Sequence, residues 1–178
     1  MTYGFYFFAC LVLIVLQTAV MPNVPVLDSF FDLPAAFVIY LGLFRPIREC
    51  LPIILALGII ADNLSGAPFM LYTTSFIWVY LGVYWLKGVL QVGMRFRLPI
   101  LVSAGVLMEN IIFIVTVGLL EPGIQSPLAT AGIVIPQLLW AFFIGPFLVI
   151  GFKYSYNFWD KLLGEVLFKR TDMAEHEK

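Results

Sequence analysis

The 178 residues are 62% hydrophobic and 12% charged, with a formal net charge of −1 and a mean hydropathy of +1.00. A soluble domain carries about twice that charged fraction, and apolar runs near the ~20 residues needed to cross a bilayer recur along most of the chain. The composition points to an all-α, polytopic membrane protein; it excludes nucleic-acid binding, for which there is no basic patch, and leaves no stretch for a soluble domain.

Six membrane spans are predicted, over residues 3–21, 30–44, 50–61 with a continuation toward 68, 69–91, 98–120 and 131–152. The first lacks the basic start and the small-residue cleavage site of a secretory signal, so it reads as a retained helix. Spans two and three are short. The segments "FDLPAAF" and "DNLSGAPF" at their outer ends predict irregular backbone, tolerated in a membrane only where protein or water covers it. Residues 1–152 form the six-span domain, and 153–178 form a basic cytoplasmic tail. Within the tail, Trp159, Leu162, Leu163, Val166 and Arg170 fall at helical spacing, which suits either an interfacial helix or an extension of span six. The final "TDMAEHEK" is expected to be disordered.

The cations segregate. Arg45 and Arg48 follow span two; Lys87, Arg95 and Arg97 close span four; Lys153, Lys161, Lys169, Arg170 and Lys178 follow span six. The alternate connections, "PNVPVLDSFFD", "DNLSGAP" and "EPGIQSPLAT", hold none. By the positive-inside bias the cation-bearing loops and both termini are cytoplasmic, with Arg45, Arg48, Arg95, Arg97, Lys153 and Lys161 as basic anchors.

Asp62 lies 14 residues past Arg48 and Glu109 lies 12 past Arg97, about 21 and 18 Å along outward-running helices. Each acid is followed by an amide and preceded four residues earlier by glycine, "GIIADN" and "GVLMEN". The match hints at a duplication. An ionised carboxylate at this depth costs at least ~2.5 kcal/mol, and every cation is at the other face. The candidate partners are Asn63, Asn110, Ser65, Gln137 and free N–H groups near Gly66. One reading makes the two acids a relay or ligand pocket. The other makes Asp62 a cap that accepts N–H bonds from residues two or three further on, with Gly66 left-handed and Pro68 opening span four; Glu109 then bonds Asn63 or Gln137 across helices.

No nucleophile elbow, phosphate loop or metal-spaced His/Cys set is present. Cys10 and Cys50 read as isolated membrane or interface thiols, and His176 as a solvated tail residue. No enzymatic activity, cofactor or metal is expected.

The stretch "LGIIADNLSGAPFMLYTTSFIWVYLGVYW" resembles the signature region of the rod shape-determining MreD family, whose members carry an Asp, a Ser-Gly and a Pro before a long aromatic-rich helix; here these are Asp62, Ser65, Gly66 and Pro68. The early "LQTAVMP" and the basic, aromatic tail agree in layout. One departure is Met70, where the family pattern has glycine. The resemblance implies a non-enzymatic inner-membrane subunit of the bacterial cell-elongation machinery. It would bind MreC and, through the complex, a class B penicillin-binding protein, a SEDS glycosyltransferase, RodZ and MreB. It also implies a fold similar to the substrate-binding subunits of energy-coupling-factor transporters. The second reading is therefore a vitamin-binding subunit with Asp62, Asn63 and Glu109 lining an outward-facing pocket.

Overall fold

The computed structural model describes residues 2–20, 32–65, 70–90, 94–120 and 127–176, and every regular element among them is helical. Helix α1 (Thr2–Val15) runs into a π-helical turn (Leu16–Val20); α2 (Leu33–Phe44), α3 (Ile47–Ser65), α4 (Leu71–Val89), α5 (Met94–Leu120), α6 (Pro127–Phe143) and α7 (Gly145–His176) follow.

Helix α2 is the axis of the bundle. Its twelve residues span only ~18 Å, yet Pro34 through Gly42 are all buried, and α1, α3, α4, α5 and α7 pack around it. A helix apolar on every side is one enclosed by other helices. Phe37 and Tyr40 carry this core outward to Phe152 of α7, edge-on at 5.4 Å and tilted at 5.9 Å, and Tyr6 of α1 stacks on Tyr156 at 6.0 Å.

The duplication hinted at by the two acids is longer than six residues. Helices α3 and α5 both read Arg, Leu-Pro-Ile, Gly, acid-Asn at one constant offset of 47 residues: Arg48 with Arg95, Leu51-Pro52-Ile53 with Leu98-Pro99-Ile100, Gly58 with Gly105, and Asp62-Asn63 with Glu109-Asn110. The preceding helices share Tyr-Leu-Gly, residues 40–42 in α2 and 80–82 in α4. The chain thus contains two successive helical hairpins of one pattern, α2–α3 and α4–α5.

The repeated glycines sit where helices touch. A Cβ on Gly58 would stand 2.5 Å from the Thr73 Cα of α4, and one on Gly105 would stand 2.7 Å from Ile39 Cδ1 of α2. Glycine and acid four residues apart share a helix face, so the close approach at the glycine brings the acid to the start of the neighbouring helix.

Helix α3 extends to Ser65, within the predicted continuation of span three toward 68, and span six is not one rod. Segments Val134–Phe143 and Gly145–Lys161 meet at 49°. Pro146, at the start of α7, lacks an N–H for the carbonyl one turn back, which accounts for the bend. Beyond it α7 is one continuous helix through the tail to His176, so the tail extends the last helix and the expected disorder of 171–176 is corrected.

Candidate functional site

The polar groups gather at the two ends of the bundle. At the end where α2 and α4 begin, Asp62 projects from α3 and accepts three bonds from the first turn of α4: Tyr72 N–H to Oδ1 at 2.7 Å, Thr73 N–H to Oδ2 at 3.1 Å and the Thr73 hydroxyl to Oδ2 at 2.7 Å. The N-cap residue of α4, Met70, offers no capping side chain. Asp62 therefore supplies the acceptor from a neighbouring helix, and its charge meets the positive end of α4.

The expected cap is thus real in kind but differs in partner. Because α3 continues through Ser65, the N–H groups just after Asp62 belong to its own helical ladder, and the carboxylate reaches residues ten and eleven further on instead. The left-handed residue of this turn is Met70, with φ 65°. Gly66, expected there, and Pro68, expected to open span four, lie outside the described residues.

At the start of α2 a second cap is built from the π-helical turn. Gln17 Oε1 accepts the Leu33 N–H at 2.9 Å while its Nε2 donates to Asp32 Oδ1 at 2.6 Å. A π-turn re-aims a side chain relative to an α-helix, and here it turns Gln17 onto the N-terminus of α2. Asp32 is the N-cap residue of α2 and makes no side-chain cap bond of its own. Glu109 is 5% exposed, and its Oε1 has no partner.

The sequence-predicted amides do not join this cluster. Asn63 donates to its own Ile59 carbonyl at 2.7 Å, and Asn110 to its own Val106 carbonyl at 2.9 Å. Gln137 is half-buried on α6 with no hydrogen bond to Glu109, which corrects the interhelical pairing expected for it. Gln17 and Asp32, which complete the site, were not singled out by sequence reasoning. The signal was present in "DLP", an Asp two residues before a proline at the head of an apolar run, the signature of a helix N-terminus.

The opposite end mirrors this arrangement with cations. Lys87, in the last turn of α4, donates to the terminal α2 carbonyls of Gly42 and Leu43 at 3.3 and 3.0 Å, and the Arg97 guanidinium donates to the Lys87 carbonyl. The Arg45 guanidinium lies 3.8 Å over the Tyr156 ring, Lys153 lies 4.9 Å over Phe44, and the Tyr80 hydroxyl donates to the Arg45 carbonyl at 3.3 Å. These cations satisfy the negative, carbonyl-bearing ends of α2 and α4. Arg48 and Lys161 are exposed; Arg95 is in the first turn of α5, its side chain outside the described residues.

A cleft of about 170 Å³ opens beside the Gln17 cap, between α1, α3 and α4, with Gln17, Thr18, Ser65 and Tyr72 among its walls. Small-molecule sites usually occupy about 300–1,000 Å³, and Asp62, Asn63 and Glu109 do not line it. Ser65 thus borders a cleft, whereas Asp62 faces the start of α4. Among the described residues no group of three His, Cys, Asp or Glu is placed to hold a metal ion. No family model, curated protein or solved structure matches the chain.

Proposed function

We propose that the chain is a six-span integral membrane scaffold with cytoplasmic termini, acting in the bacterial cell membrane as a non-enzymatic subunit of the cell-elongation complex. Large apolar side chains stand outward on every face of the bundle, among them Phe7 at 72%, Trp85 at 69%, Leu119 at 78% and Phe147 at 74% exposure. An apolar surface of that extent suits lipid or partner helices and not water. Among the described residues Arg97–Leu119 alone is long and apolar enough to cross a bilayer as one helix, and the bent pair Val134–Phe143 and Gly145–Lys161 passes if taken as one span. Helices α1 and α2 are apolar but shorter, and a hydrophobic stretch shorter than the bilayer is accommodated by local thinning.

One observation carries the scaffold reading. Asp62, the acid of the segment that resembles the MreD signature, commits both oxygens to the first turn of α4. An acid engaged in that way holds the fold. The motif then acts as an architectural lock, and the protein acts by packing: MreC binds its apolar surface, and the class B penicillin-binding protein, SEDS glycosyltransferase, RodZ and MreB join through the complex. The cleft of about 280 Å³ between α4 and α5, bordered by Gly82, Trp85, Gly105 and Met108, offers the surface relief such helix packing uses.

Depletion in the rod-shaped native host tests this function. Rods should become rounded and regain their shape when the wild-type chain is restored; depleted cells that stay rod-shaped would contradict it.

A further inference from the structure

Two cations in the seam between the end of α2 and α7 are held by rings and not by acids. Arg45, which follows α2, lies 3.8 Å over Tyr156 of α7, and Lys153 of α7 lies 4.9 Å over Phe44, the last residue of α2. Lys87 and Arg97 at the same end spend donors on backbone carbonyls. Among the described residues no carboxylate is paired with Arg45 or Lys153, and Arg45 Nε is buried without a hydrogen-bond partner. We propose that this seam binds the phosphate of an anionic phospholipid in the cytoplasmic leaflet, with Arg45 and Lys153 as its donors. The inference rests on the membrane placement proposed above.

The chemistry of the donors fits a phosphate. A guanidinium resting on a ring by its flat face keeps its edge N–H groups free, and their fork matches phosphate oxygens. Lys153 is exposed and adds a point charge beside it. Arg45 Nε, the Tyr6 hydroxyl and the Trp159 indole N–H are all buried without a partner. All three lie on or within one turn of Tyr156, on which Tyr6 stacks at 6.0 Å. Buried polar groups ordinarily find partners, and what this group of side chains lacks is an acceptor.

The apolar surroundings favour a lipid over a free anion. Phe147, Ile150 and Tyr154 share one face of α7, are 74, 50 and 75% exposed, and run from the level of Lys153 back along the apolar part of the helix. An acyl chain attached to the bound phosphate would lie along that face. The field has the matching sign, because the six described cations at this end face only Glu49 and Asp160 among the described acids. Basic pockets between helices at the cytoplasmic side attract anionic headgroups.

Lipid-dependent unfolding of the full-length protein in neutral detergent tests the site. Phosphatidylglycerol should raise the wild-type unfolding midpoint, whereas phosphatidylcholine or inorganic phosphate at the same concentration should not. The rise should be lost in the Arg45→Gln/Lys153→Gln double variant and reduced in Lys153→Gln, whose exposed side chain can change without disturbing the fold. It should persist in Arg48→Gln/Lys161→Gln, which removes the same charge outside the seam. An equal response to both lipids, an equal response to inorganic phosphate, or equal losses in the two double variants would overturn the proposal. Flotation with phosphatidylcholine vesicles separates it from the membrane placement. A chain that floats but ignores phosphatidylglycerol loses the lipid site alone; one that does not float contradicts the placement as well.

Discussion

Asp62 takes three donors on two oxygens, and that count sets what substitutions do. In Asp62→Asn one oxygen remains for Thr73, but the amide nitrogen then faces the Tyr72 N–H. One acceptor is lost, at a cost of about 1 kcal/mol. In Asp62→Ala the first turn of α4 has no acceptor at all, and the cost rises to about 2–3 kcal/mol. Thermal unfolding in mild detergent should rank wild type above Asn and Asn above Ala; equal loss in Asn and Ala would mean that the charge, not the acceptor, matters. Met70 shows the same site from the backbone. Its φ of 65° lies where an L side chain costs about 1–2 kcal/mol, which gives a physical reason for the glycine in the family pattern that this sequence resembles.

At the scale of elements, the glycine-acid repeat of α3 and α5 sets how closely helices approach. Gly58→Ala would drive a methyl into the Thr73 backbone, whereas Gly105→Ala meets the flexible end of Ile39. Backbone cannot move aside as a side chain can, so Gly58→Ala should cost the upper part of the about 1–3 kcal/mol typical of overpacking, and Gly105→Ala the lower part. Unfolding midpoints of the two variants compare them directly; the reverse order would refute the contact. The "GIIADN" and "GVLMEN" pair was legible in the sequence because periodicity and rise place residues along one helix. Which neighbour each acid faces was not legible, since that depends on helix rotation and on partners distant in sequence. For the same reason Glu109 was assigned to amides, while Asp32 looked like no more than a span boundary. The capping role of Asp62 was legible from its residue type; its reach to Tyr72 and Thr73 was not, because "DNLSGAP" reads as a local turn and α3 continues into it. The 49° bend in span six left only a short signal, "GPF", inside a continuous apolar run.

Over the whole molecule, the described side chains that cap α2 and α4 divide into acceptors and cationic donors: Gln17 and Asp62 at the beginnings, Lys87 and Arg97 at the ends. The cation map read from the sequence has its spatial counterpart here, because residues from three separate stretches, Arg45, then Lys87 and Arg97, then Lys153, meet around the same helix ends. Between the two polar ends the surface is apolar, and the acids of the motif are turned inward onto helices. The proposed role is that of a protein that acts through what it holds beside it. Purification from the native host in mild detergent, with mass spectrometry of proteins and small molecules together, tests that claim most directly. The account predicts recovery of the single-span periplasmic scaffold MreC without a retained ligand; recovery of a vitamin-sized ligand together with a transporter ATPase would contradict it.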